Sequence, residues 1–121
     1  MVQLPRHTAH TDIGRVSIEE LKKLIDENAE VVVLDVQQKT AYDKGHIKGA
    51  ISFPWKQKLT LADTRFLPRD KPLVTYCDCG PKDTDSSDTA AQLIALGLQN
   101  VKVLADPSIK GWLAAGYPIE S

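Results

Sequence analysis

Leu73-Val74-Thr75-Tyr76-Cys77 is the stretch on which the reading of this chain turns. Leu73 to Tyr76 is a short run of apolar, β-branched and aromatic residues. That is the composition of a buried strand in a parallel sheet, covered on both faces. A cysteine then stands at the strand's carboxyl end. Asp78 to Ser86 is polar, holds a glycine and a proline, and reads as a loop. Ser86 or Ser87 is placed to cap a helix running through Leu96, with Leu93, Ile94 and Leu96 apolar and Gly97 as its stop. The order is therefore strand, cysteine, loop, helix. Such a helix aims free N–H groups and its positive dipole end back at the loop. A negative sulfur would be stabilised there, since such features can lower a cysteine pKa from about 8.5 toward 7 or below.

The same grammar repeats outward from this unit. Upstream, Val31-Val32-Val33-Leu34 is a second buried strand, Lys39 to Lys44 a polar turn of helix, and Ile51-Ser52-Phe53 a strand stopped by Pro54. Ser17-Ile18-Glu19-Glu20 is a capping box, with Val16 and Leu21 placed as a hydrophobic staple. The helix it starts buries Ile18, Leu21, Leu24 and Ile25. Trp55 to Lys71 reads as loop with one short helix. Downstream, Val101 to Leu104 is a fourth strand, and Ile109 to Ala115 a last helix closed by Gly116 with Pro118 beyond it. Strands alternating with helices predict an α/β domain in three layers, a central parallel sheet with helices on both faces. Ligands of such sheets bind outside the carboxyl ends of the strands, where Cys77 lies.

Bulk properties narrow the function. The chain has 121 residues, enough for one domain, and is 42% hydrophobic and 26% charged. Fifteen basic against sixteen acidic residues leave a formal charge of −1, which points away from nucleic acid and anionic membranes as partners. No apolar run approaches the roughly 20 residues of a membrane-spanning helix. Met1 to Thr11 is polar and does not read as a signal peptide, so a cytoplasmic location is expected. Residues 1–12 form an arm, and 13–121 the domain. Two cysteines one residue apart, Cys77 and Cys79, staple no fold, so either chemistry or chance explains them.

The sequence resembles the rhodanese-like family from Val16 to Ile119. Three stretches carry the resemblance. Leu34-Asp35-Val36, then Tyr42-Asp43-Lys44-Gly45-His46-Ile47-Lys48-Gly49-Ala50 and Pro54, is similar to the family's Asp-Val-Arg … Gly-His-Ile-x-Gly-Ala … Pro pattern. Val74-Thr75-Tyr76-Cys77 with Ala90-Ala91-Gln92-Leu93 and Gly97 matches the strand before, and the helix after, the family's active-site loop. Val101-Lys102-Val103-Leu104 with Gly111-Trp112 and Ala115-Gly116-Tyr117-Pro118 is similar to its C-terminal ending. The resemblance implies a sulfurtransferase or sulfane-sulfur carrier. A cysteine takes sulfur from a small donor, holds it as a persulfide, and passes it to a thiol or protein acceptor. That is covalent catalysis by an activated thiolate. No cofactor and no metal are implied.

Cys77 is the preferred nucleophile because it directly follows the strand, with Cys79 the alternative. The other thiol could resolve a persulfide on its neighbour, and a disulfide between them would be reducible rather than structural. Gly80 permits the close backbone approach a sulfur-binding nest requires. Lys82, Ser86 and Ser87 are the loop's candidate binding groups, with Asp35 and His46 structural residues near the site. His46 is expected to hold a turn, and Trp55 and Trp112 to line core or pocket. The chain departs from the family in Gln37, where arginine commonly stands, in Asp106-Pro107 in place of Gly-Gly, and in a longer loop without arginine. Asp78, Asp83, Asp85 and Asp88 surround Lys82 there, which predicts better use of neutral or polysulfide-like donors than of dianionic thiosulfate. A non-catalytic binding module and a thiol-redox role for the Cys-x-Cys pair are the competing readings.

Overall fold

The computed structural model describes residues 13–78 and 84–121. In chain order its elements are β1 (Arg15–Val16), α1 (Ile18–Asp26), β2 (Val32–Asp35), α2 (Lys39–Lys44), β3 (His46–Ile47) and β4 (Ile51–Ser52). A single 3-10 turn at Ala62–Thr64 follows, then β5 (Leu73–Tyr76), α3 (Thr84–Ala95), β6 (Val101–Leu104), α4 (Ile109–Ala114) and β7 (Ile119–Glu120). Five strands form one parallel sheet in the order β1-β6-β5-β2-β4. The expected parallel α/β architecture is therefore present.

Strand alternation divides the core in two. Leu34, Leu73, Val101 and Val103 point to one face, where Ala90, Ala91 and Leu93 of α3 cover them. Val33, Val74, Tyr76 and Leu104 point to the other, against Leu21 of α1 and Ile109 and Trp112 of α4. Fully buried leucines of this kind each contribute about 1.5–3 kcal/mol through loss of contact with water. The capping box is formed as read: Ser17 Oγ accepts Glu20 N–H at 3.0 Å while Glu20 Oε1 accepts Ser17 N–H at 2.9 Å. Val16 and Leu21 are both buried beside it.

Two expectations change, and one small sheet is added. Helix α3 begins at Thr84, so Ser86 and Ser87 lie inside its first turns and are not its caps. Both are fully buried, and their hydroxyls make tertiary contacts instead of closing the helix end. The second strand is shifted by one residue to Val32–Asp35, because Asp35 still pairs in register with Tyr76. A small antiparallel pair, β3 with β7, adds a second sheet that folds the chain's end back onto His46 and Ile47.

The connection before α4 is tight. Gly111 packs so closely on Pro107 that an added Cβ would sit 3.1 Å from the proline ring, tighter than ordinary van der Waals contact. This holds the 106–108 turn against the start of α4, directly beneath the end of β5.

Candidate functional site

Alternation along β5 decides where Cys77 points. Thr75 faces α3, where its hydroxyl donates to the Ser86 carbonyl at 2.9 Å. Two residues on, Cys77 faces the same way, and its Sγ lies 3.4 Å from Ser86 Oγ. Cys77 is disulfide-bonded, so its sulfur has no proton to give and the serine hydroxyl is the group able to donate. The chain's other cysteine is Cys79. Cys79, Gly80 and Lys82 fall outside the described residues, as does most of the acidic loop.

The backbone of Cys77 is fixed from beneath by the start of α4. Its N–H donates to Ser108 Oγ at 3.2 Å, and its carbonyl accepts Ile109 N–H at 3.4 Å. Ser108 stands at the N-cap position of α4 yet makes no side-chain cap bond, because its hydroxyl is committed to Cys77. It holds this place with φ at 59°, in the left-handed region. Ser108 is a positioning residue that sequence reasoning did not single out.

Beside Cys77 opens a cleft of about 270 Å3, lined by Gln37, Gln38, Ala41, Cys77, Asp78 and Asp85. It lies at the carboxyl ends of β2 and β5, where the fold class predicts ligand binding. The first turn of α3 forms one wall, and the positive dipole end of a helix start favours an anion there. Asp85 belongs to that same turn. Asp78 forms an ion pair with Lys110 at 3.5 Å.

Arg15 enters from across the sheet. Its guanidinium donates to Ser87 Oγ at 2.7 Å and to the Ile13 carbonyl at 2.9 Å. The first turns of α3 thus receive a cation from β1, although their own loop contains no arginine. Asp88, one turn along α3, accepts the Trp55 indole N–H at 2.6 Å and the Gln92 amide at 2.9 Å, tying the 55–59 segment to the helix.

On the opposite face of β5, Asp35, Tyr76 and Gln37 form a buried polar network. Tyr76 OH donates to Asp35 Oδ2 at 2.7 Å and accepts the Ile47 N–H at 3.0 Å. The Gln37 backbone and side-chain amides donate to Asp35 at 2.8 and 3.0 Å. Burial raises the Asp35 carboxyl above the usual carboxylate range, and the hydrogen bonds from Tyr76 and Gln37 offset only part of this. Burial, together with the neighbouring Asp35 charge, pushes the Tyr76 phenol well above its ordinary value. His46 is buried, stacks on the Tyr42 ring at 3.7 Å, and bonds the Tyr42 carbonyl through Nδ1 at 2.8 Å. Its Nε2 lies 3.5 Å from Glu120 Oε1, next to the β3–β7 pair. Asp35 and His46 are thus placed in the scaffold under the cleft, and neither lines it.

Trp112 is buried in the α1/α4 core, and it also lines a second, separate cavity of about 470 Å3 with Lys22, Ile25, Lys48 and Pro118. Among the described residues no cluster of histidine, cysteine, aspartate and glutamate suited to a metal ion occurs, and no helix is long and apolar enough to cross a membrane.

Comparison with known proteins agrees with this fold. Residues 17–115 match the family model of the rhodanese-like domain. The structure is similar to the BH2092 protein from Bacillus halodurans, with 31% identity over 89% of this chain and 77% of that one, at a TM-score of 0.81. It is also similar to the Alr3790 protein from Anabaena sp., with 26% identity over 88% and 80% of the two chains, at a TM-score of 0.75. A thiosulfate sulfurtransferase from Pseudomonas aeruginosa shares the fold at a TM-score of 0.69, with 23% identity over 91% of this chain and 20% of that protein. Comparison with curated protein sequences finds no match. With nearly the whole of its parallel sheet inside the matched region and a cysteine closing the central strand, this chain belongs to the rhodanese-like domain family.

Proposed function

We propose that this chain is a sulfurtransferase or sulfane-sulfur carrier that works through a persulfide on Cys77. The observation that carries the reading is the seat of the Cys77 sulfur. It closes a buried strand, touches the first turn of a long helix at Ser86, and forms part of a cleft at the carboxyl edge of the sheet. A dithiol reductant first opens the disulfide. The Cys77 thiolate then attacks the outer sulfur of a donor, the donor's sulfur bond breaks, and the leaving group departs with the electron pair. A thiol acceptor attacks the terminal persulfide sulfur in turn and regenerates the Cys77 thiolate. Ser86 Oγ–H and the start of α3 stabilise the negative charge each time it returns to Cys77. Gly80 and Lys82 belong to the loop that would wrap the transferred sulfur. Ser87 acts at one remove, by holding Arg15 near the helix start.

The disulfide at Cys77 favours a second reading, in which the Cys-x-Cys pair serves thiol–disulfide exchange. One experiment separates the two. The reduced protein is incubated with a sulfane donor and its mass is followed. Gain of one sulfur atom, lost in Cys77→Ser and kept in Cys79→Ser, supports persulfide transfer. Gain that disappears in Cys79→Ser alone reverses the assignment of the nucleophile. No gain with any donor, alongside rapid exchange with small disulfides, leaves thiol redox as the function.

A further inference from the structure

We infer that the sulfur donor taken by the Cys77 cleft is a small persulfide carrying a positive charge beside its sulfur, an aminothiol persulfide, and that Asp85 holds its ammonium group. The inference rests on the proposed persulfide chemistry and names the substrate class for that site.

The lining of the cleft carries the argument. Among the described residues, its walls are two amides (Gln37 and Gln38), one methyl (Ala41), two carboxylates (Asp78 and Asp85) and the sulfur itself. Among the described residues no lysine or arginine lines it. Lys110 pairs with Asp78 and so offsets that charge. Arg15 is directed to Ser87 and the Ile13 carbonyl, outside the lining. Asp85 lines the cleft and, among the described residues, makes no hydrogen bond or ion pair. Gln37, where a cation would complete an anion site, is neutral and turned to Asp35.

A dianion entering this space meets like charge at about contact distance, which is unfavourable even at high effective dielectric. An ammonium on a short carbon stem meets a carboxylate, with amide oxygens of Gln37 and Gln38 able to accept its remaining N–H groups. The volume suits such a molecule. About 270 Å3 lies just below the range of pockets that take drug-sized ligands, about 300–1,000 Å3. The chemistry balances without an external oxidant. The Cys77 thiolate bonds to the terminal sulfur of the aminothiol persulfide, the donor's S–S bond breaks, and the aminothiol leaves as a thiolate that takes up the persulfide's proton.

The test uses the full chain, reduced with a dithiol that is then removed, and three persulfides of matched length and different charge. These are the persulfides of cysteamine, 2-mercaptoethanol and mercaptoacetate, with thiosulfate as a fourth donor. The initial rate of sulfur loading on Cys77 is read by mass spectrometry at equal donor concentration. The ammonium donor is expected to load about threefold to fivefold faster than the neutral one, the size of a partly exposed ion pair. The carboxylate donor is expected to be slower again, and the spread to shrink with added salt. Asp85→Asn brings the ammonium-to-neutral rate ratio close to unity, and Asp85→Glu keeps it above unity. Circular dichroism melting of both variants reports that they fold. Equal rates for the three persulfides, or fastest loading from mercaptoacetate persulfide or thiosulfate, overturn the inference and leave persulfide transfer standing. Failure of every donor to load overturns the proposed function itself, and the inference with it.

Discussion

Replacing Ser108 tests how the Cys77 peptide is held. Ser108 Oγ accepts the Cys77 N–H at 3.2 Å, and both residues are 1% exposed, so no water can take over the bond when the hydroxyl is removed. Leaving a buried amide without an acceptor costs about 1–3 kcal/mol. A domain of this size loses about 4 °C of melting temperature per kcal/mol, so Ser108→Ala should lower Tm by about 4–12 °C. Ser108 also adopts φ 59° and ψ −128°, a conformation costly for any residue with a Cβ, at about 1–3 kcal/mol. Ser108→Gly removes the same hydroxyl but relieves that strain, against about 0.4–1 kcal/mol for the freer unfolded chain. The glycine variant should therefore be the more stable of the two by about 1 kcal/mol. Urea unfolding under identical redox conditions measures both differences. A Ser108→Ala variant as stable as the parent would show that the hydroxyl does not hold Cys77. A glycine variant no better than alanine would refute the strain argument.

Two further variants address charge. Burial raises the Asp35 carboxyl, so the folded state binds its proton more tightly than the unfolded state does. This contribution to stability is complete below the ordinary carboxylate range near pH 4 and is lost as pH rises through the raised folded value. Asp35→Asn mimics the neutral form, so its stability relative to the parent should improve on going from pH 4 to pH 7 in urea unfolding. A relative stability that worsens over that interval would show that hydrogen bonding outweighs desolvation. Gln37→Arg adds a cation to a cleft lined by Asp78 and Asp85 while keeping donors for Asp35. Thiosulfate loading should rise by about threefold to tenfold relative to the neutral donor, and an unchanged ratio would show that charge does not select the donor.

Legibility in the sequence followed the range over which each feature is determined. β5, β6 and α2 lie at the positions their composition suggests, because an apolar β-branched run or a short polar helical turn is a local property. The capping box at Ser17 and Glu20 is equally local and equally visible. β1, β3 and β7 have two residues each, too few to show any period, and exist because a neighbour offers hydrogen bonds. The start of α3 was hidden for a different reason. Ser86 and Ser87 look like caps, yet their hydroxyls serve Cys77 and Arg15. Ser108 and Arg15 reach the site from 31 and 72 residues away along the chain, and no local pattern marks either.

The strand β5 explains why the site and its scaffold should respond together. Thr75 and Cys77 face α3 and the cleft, while Val74 and Tyr76 face the α1/α4 core. Tyr76 is anchored by Asp35 and the Ile47 amide, and it immediately precedes the residue whose sulfur is proposed to react. Loosening the Tyr76 anchor therefore moves the peptide that positions Cys77, even though the phenol lies on the opposite side of the sheet. Gln37 joins the two sides: it donates to Asp35 underneath and lines the cleft above. The family arginine absent at this position would supply charge to the cleft. Glutamine keeps the support for Asp35 and withholds the charge, so the scaffold is retained while the charge offered to the proposed donor is changed.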